Sequence, residues 1–238
     1  MYIENLVEMH CHIIPGIDDG SHSIKTSLEM IERLKEQGAH TIVLTPHYYS
    51  DEISLDDFLK RRDKAFNLLL KELPSGSPRL IPAAEVYISD YLLNNESIKD
   101  ICIGSSDYAL IEHSFSAEFD DDDFNRLSNL YCDYGIRPVL AHIERYPALM
   151  NDKYKLDALI EMGCIPQANI SSFASGSRII RKKLFKLLAE DKIQLIGSDC
   201  HNLDSRPPEF EDGIKAIIKK CGQETVDRLI ANANILVK

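Results

Sequence analysis

Short apolar runs alternate with stretches of helical periodicity from one end of the chain to the other. Leu6–Met9 predicts a first strand. Ser23–Gln37 predicts a helix with Leu28, Ile31 and Leu34 on one side and Gly38 as its stop. Thr41–Thr45, rich in β-branched residues, predicts a second strand. Ser54, with Asp57 three residues on, opens a second helix; its apolar stripe is Phe58, Ala65, Phe66, Leu69 and Leu73, and Pro74-Ser75-Gly76 ends it. The alternation goes on with strands at Arg79–Ala84, Tyr108–Ile111, Arg137–Ala141, Ile165–Ile170 and Gln194–Gly197, the one at Ile165 weakened by Pro166. Helices are expected at Ser89–Asn94, Asp121–Asp133, Lys155–Met162 and Ile179–Glu190, with Glu209–Lys219 and Gln223–Ala231 closing the chain.

Seven strands, each followed by a helix, must run parallel, because a helical crossover returns the chain to the same end of the sheet. The count allows an open doubly wound sheet or a closed barrel. No linker or low-complexity tract divides the chain, so one domain over residues 1–238 is expected. A net charge of −11 argues against a general nucleic-acid binder but not against an anionic substrate if cations supply a local positive field. The N-terminus lacks the features of a signal peptide and no apolar run approaches a membrane span, so a cytoplasmic protein without membrane insertion is expected. The six cysteines form no C-x-x-C pair and read as reduced thiols.

The chemistry stands at the strand ends. His10-Cys11-His12 and then Asp18-Asp19-Gly20 follow the first strand, and Thr45-Pro46-His47 the second. Glu85, Glu112 and His142 close the next three, and Asp199-Cys200-His201 the last. In His10-x-His12 and Asp199-x-His201 the outer residues share one face of extended chain and can reach one point. In parallel α/β folds the strand ends gather on one rim, where loop residues converge. Nine candidate ligands result: His10, His12, Asp19, His47, Glu85, Glu112, His142, Asp199 and His201. Mixed imidazole and carboxylate donors suit manganese, iron, zinc or magnesium. Nine side chains exceed what one ion uses, so two or three divalent cations are expected, with Glu85 the first candidate for a bridge. The four carboxylates leave such a site neutral to about +2, enough to attract a phosphate dianion.

Asp18 is open between a ligand and a turn residue before Gly20. His22, His40 and His113 fall outside the pattern, and the acidic run Asp120–Asp123 reads as a helix N-terminus rather than a calcium loop. Cys200 to Arg206 has the C-x5-R spacing of thiol-dependent phosphatases. The loop between has no glycine, Asp204 would repel phosphate, and alternation turns Cys200 away from its neighbours' face, so the spacing reads as chance.

These residues resemble the polymerase and histidinol phosphatase superfamily, whose fold is a distorted (β/α)7 barrel. They are most similar to its bacterial branch of manganese-dependent protein-tyrosine phosphatases from capsule and exopolysaccharide loci. The stretches that carry the resemblance are His10 to Gly20, Thr45-Pro46-His47, Ala84-Glu85-Val86-Tyr87, Leu110-Ile111-Glu112, Leu140 to Tyr146, and Ser198 to His201 with Arg206-Pro207. The resemblance implies one cation on His10, His12, Glu85 and Asp199, a second on Glu85, Glu112 and His142, and a third on Asp19, His47 and His201. It marks Arg145 and Arg206 as phosphate-binding. It implies manganese, a phosphotyrosine protein substrate such as a tyrosine kinase's C-terminal tail, and hydrolysis by water that the cations activate. A small-molecule phosphatase of the histidinol-phosphate type and a non-catalytic metal-binding module are the rival readings.

Overall fold

The computed structural model describes residues 1–94 and 98–238. Parallel strands alternate with helices: β1 (Leu6–Cys11), α1 (Ile24–Glu36), β2 (Ala39–Leu44), β3 (His47–Tyr49), α2 (Leu55–Glu72), β4 (Arg79–Pro82), β5 (Glu85–Tyr87) and β6 (Tyr108–Glu112). Then follow α3 (Asp121–Tyr134), β7 (Arg137–Leu140), α4 (Pro147–Asn151), α5 (Lys153–Glu161), β8 (Ile165–Asn169), α6 (Arg178–Ala189), β9 (Leu195–Gly197), α7 (Glu211–Cys221) and α8 (Gln223–Leu236). The helix starts follow local chemistry. Ser23, Ser54, Asp120 and Ser177 each accept a hydrogen bond from a backbone N–H of the first turn, satisfying donors that a helix leaves unpaired. Among the differences from the sequence reading, the helix expected at Ser89–Asn94 is a 3₁₀ turn at Leu92–Asn94, α4 is additional, and Pro166 is paired inside β8, opposite Leu140.

The strands expected at Thr41–Thr45 and Arg79–Ala84 are each followed, after a break, by a further short strand, β3 and β5. The ladders form a three-stranded sheet, β1-β2-β4, and a six-stranded one, β3-β5-β6-β7-β8-β9. The register is the same on both sides of the break, since Leu44 pairs with Pro82 and His47 with Glu85. The Ala83 N–H donates to the Leu44 carbonyl (2.8 Å) and the Glu85 N–H to the Pro46 carbonyl (3.0 Å). The return bond, from residue 46 to the Ala83 carbonyl, is impossible because proline has no N–H. The Arg62 guanidinium of α2, buried to 6% exposure, donates to that carbonyl instead (3.3 Å) and also to the Asp100 carbonyl (3.1 Å). At the other edge Asp199 N–H donates to His10 O (2.8 Å), His12 N–H to Cys200 O (2.9 Å), and Cys11 bridges Cys200 in parallel.

The core has two layers. Val7, Met9, Val43, Ile81, Leu110, Val139 and Leu195 form an inner cluster between strands, closed at one end by Leu236 and Val237. A larger outer cluster joins the strands to the helices, among them Leu34, Leu69, Leu130, Leu159, Leu188 and Ile217. The register of β1 slips between Glu8 and Cys11. Such a slip re-aims side chains, and here His10 and His12 leave the apolar layer's alternation for the polar end of the fold. Two N–H groups near the slip, those of His10 (2.9 Å) and Ser198 (3.0 Å), donate to the buried Glu8 carboxylate.

Candidate metal centre

All nine candidate ligands meet at the C-terminal ends of the strands. Their donor atoms form four overlapping groups, each within 4.8 Å: His12, Asp19, His47 and His201; His10, His12 and Glu85; His10, His142 and Asp199; His47, Glu85 and Glu112. The grouping is more interwoven than the resemblance implies, with His12 joining Asp19, His47 and His201. Glu85 stands at the centre. One of its oxygens lies 3.2 Å from His10 Nε2, 3.2 Å from His12 Nε2 and 3.1 Å from His47 Nδ1, and the other 2.8 Å from His142 Nε2.

Hydrogen bonds on the far side of the rings fix which nitrogen faces the cluster. The His12 Nδ1–H donates to Asp18 Oδ2 (2.7 Å), and Asp18 also accepts from the N–H groups of Gly20 and His47. Asp18 therefore orients the His12 ring and shapes the turn. The Nδ1–H of His201 donates to the Asp199 carbonyl (3.0 Å). For His10 the partner is Gln167 Oε1 (3.3 Å), whose identity as oxygen follows because the His142 N–H donates to the same atom (2.7 Å). Gln167 Nε2 then donates to Asn169 Oδ1 (3.2 Å), and Asn169 Nδ2 to Asp199 Oδ2 (2.8 Å). In all three imidazoles the contact through Nδ1 turns Nε2 into the cluster, where loss of its proton would leave a lone pair aimed at a cation, as metal-bound histidines require.

The donor set fits divalent cations. His47 Nδ1 and His201 Nε2 are buried without a hydrogen-bond partner among the described residues, although carboxylate oxygens stand at 3.1 and 3.3 Å. His142 (φ 31°) and Asp199 (φ 55°) adopt the left-handed conformation, a strain that clusters at functional sites.

The family described as capsular polysaccharide synthesis, CpsB/CapC, matches residues 6–238. The chain belongs to the CpsB/CapC family. Two curated members of similar length are tyrosine-protein phosphatases named CpsB. The one from Streptococcus pneumoniae is 32% identical, with 95% of this chain and 96% of that protein covered. The one from Streptococcus agalactiae serotype V is 31% identical, with 98% of each covered. A solved structure from work on YwqE of Bacillus subtilis and CpsB of Streptococcus pneumoniae, described as unique metal-dependent tyrosine phosphatases, superposes with a TM-score of 0.82. It covers 98% of this chain and 94% of its own, and at 24% identity the likeness is one of fold.

In this CpsB/CapC chain the electrostatics follow from burial and crowding. Burial disfavours the charge on Glu85 and Asp199, but the surrounding imidazoles, His10 first, hold both carboxyls well below their usual range. Burial likewise opposes charge on His142, yet Glu112 and Glu85 bring it up to about 9. Burial and the neighbouring His12 push His201 down to about 4. Arg145 and Arg206, each about one-third exposed, flank the cluster and donate to the two oxygens of Asp199, both at 2.6 Å. They line a cavity of about 390 Å³ that opens over His47 and Glu112.

The thiol reading fails on geometry. Cys200 is fully buried against Cys11. The backbone N–H groups of Asp204, Ser205 and Arg206, which would have to face a phosphate, all donate to Asn202 Oδ1 at 3.0, 2.8 and 3.0 Å. The sequence reading missed the supporting residues Glu8, Gln167 and Asn169. The last two lie at i and i+2 on β8, the same spacing that exposed the ligand pairs.

Proposed function

We propose that this protein is a metal-dependent protein-tyrosine phosphatase whose nine clustered donors hold two or three divalent cations, manganese first, within one domain folded as a distorted (β/α)7 barrel. Its substrate is a phosphotyrosine protein, the tail of a bacterial tyrosine kinase that controls capsule or exopolysaccharide synthesis, met in the cytoplasm. One observation carries the reading: four overlapping donor groups share Glu85, His10, His12 and His47, with two arginines at their mouth. The names of relatives about one-third identical over nearly their whole length support it. The parallel bridge Cys11–Cys200 supports closure of the barrel, and the absence of a helix long and apolar enough to cross a membrane among the described residues suits the location.

Bound divalent cations would neutralise phosphoryl oxygens and lower the pKa of water from 15.7 towards about 7. The chain supplies the rest. His10, His12 and His201, pinned through Nδ1, keep Nε2 aimed without rotamer search. Arg145 and Arg206 converge on one point from two loops, ready to clamp the phosphoryl oxygens and the charge that grows on them. A phenolate, with a conjugate-acid pKa near about 10, leaves without a strong acid. The test is hydrolysis of a phosphotyrosine peptide and of histidinol phosphate by the manganese-loaded protein. A strong preference for the peptide is expected. Preference for histidinol phosphate would move the reading to a small-molecule phosphatase, and no turnover of either would leave a binding module.

A further inference from the structure

We propose that Tyr49, Tyr87 and Phe115 form an aromatic subsite that receives the ring of an aryl phosphate, so that selection for aryl over alkyl esters is built into the mouth of the site. The inference rests on the phosphatase reading and extends it from the phosphate to its leaving group.

Strand geometry sets two of the three rings above the donors. His47 and Tyr49 are i and i+2 on β3, and Glu85 and Tyr87 are i and i+2 on β5. Each tyrosine therefore stands on its ligand's face, displaced outward by about 6.6 Å, two strand steps. The strands pair in register, Tyr49 opposite Tyr87, which puts the rings side by side with centroids 5.7 Å apart. Tyr49 also stacks on the His47 imidazole at 5.4 Å. An aromatic layer thus lies directly above the donor layer.

Phe115 completes it. The residue follows β6 in the loop Ser114-Phe115-Ser116 and is 51% exposed, so core packing does not account for it. Its ring meets His142 edge-on at 5.8 Å and carries the Arg145 guanidinium at 5.6 Å from its centroid. All three rings line the same cavity as Arg145 and Arg206. A phosphate held between the arginines and the donor cluster would project its ester group into this layer. A phenyl ring gains offset or edge-on contacts there, whereas a flexible alkyl chain offers no π-face. Arg145 touches both the phosphate position and Phe115, and so ties the two halves of the subsite together.

The experiment compares competitive inhibition by phenylphosphonate and propylphosphonate in the wild type, Phe115→Leu and Tyr49→Leu. Leucine keeps apolar bulk and removes the ring. The preference for the phenyl compound is expected to fall roughly 3- to 10-fold in each variant, the scale of one aromatic contact. An unchanged preference in both variants overturns the proposal. A second readout needs no turnover. The chain has no tryptophan, so Phe115→Trp installs a single indole. Its emission should shift with phenylphosphonate and not with propylphosphonate, and equal responses would also overturn the subsite. Absence of hydrolysis in the wild type would instead count against the phosphatase reading, and the indole would still decide whether the ring is received.

Discussion

Gln167 offers the sharpest test of how the cluster is held. It is fully buried on β8, and its side chain satisfies three groups: the His142 N–H, the His10 Nδ1–H and Asn169 Oδ1. Gln167→Leu keeps the volume and removes every partner. Each buried polar group left unsatisfied costs about 1–3 kcal/mol. With the long 3.3 Å contact to His10 taken at the low end, the three sum to roughly 4–5 kcal/mol, and leucine returns about 1–2 kcal/mol of apolar burial. The net loss of about 2–4 kcal/mol should lower the melting temperature by roughly 5–15 °C for a chain of this size. Freeing the His10 ring should also weaken manganese binding about 10- to 100-fold. Calorimetry in EDTA isolates the first effect and manganese titration the second. Gln167→Glu, which restores an acceptor to both donors, should recover most of the affinity. If Gln167→Leu melts within about 2 °C of the wild type and binds manganese equally well, the view that β8 aims the ligands is wrong.

EDTA should abolish turnover while Cys200→Ser keeps most of it, and a serine variant as dead as the chelated enzyme would return the chemistry to the thiol. Arg62→Met should cost about 1–3 kcal/mol in denaturant unfolding, because the buried Ala83 carbonyl loses its donor and the partly buried Asp100 carbonyl loses one as well, and a change below about 0.5 kcal/mol would show that the break at Pro46 needs no filling. Burial pushes the Cys102 and Cys164 thiols up to about 12. A raised thiol pKa keeps the group protonated until the pH nears that value, so at pH 8 a thiol reagent should label exposed Cys132 first and these two only after unfolding, as mass spectrometry would read. Prompt labelling of Cys164 in the native state would contradict the packing.

The clustering of donors was legible because their spacing obeys strand alternation: His10-x-His12 and Asp199-x-His201 declare a shared face before any fold is known. Helix starts at Ser23 and Ser54 were legible for a similar reason, since a capping hydroxyl acts within three residues. What stayed hidden depends on partners far along the chain. The break in the second and third strands follows from one missing N–H at Pro46, and the guanidinium that compensates comes from a helix. The slip in β1 leaves no local mark, and Glu8 looks like a misplaced charge until the N–H of Ser198 is seen beside it. Gln167 and Asn169 carry no ionisable group, so their side chains give no sign of metal chemistry until their hydrogen bonds to His10, His142 and Asp199 are seen. Tyr49 and Tyr87 follow His47 and Glu85 by the same i, i+2 step that pairs His10 with His12.

The left-handed turns at His142 and Asp199 bear on any attempt to re-engineer the ion preference proposed for this site. Among residues with a side chain, asparagine, aspartate and histidine tolerate that backbone best, so ligand exchange at these two positions has a very short alphabet. Glu85 and Glu112 sit in extended strands, where the backbone imposes no such restriction. A library that varies softness and charge at positions 85 and 112 while leaving 142 and 199 alone would explore new metals without spending its diversity on chains that cannot close the turn.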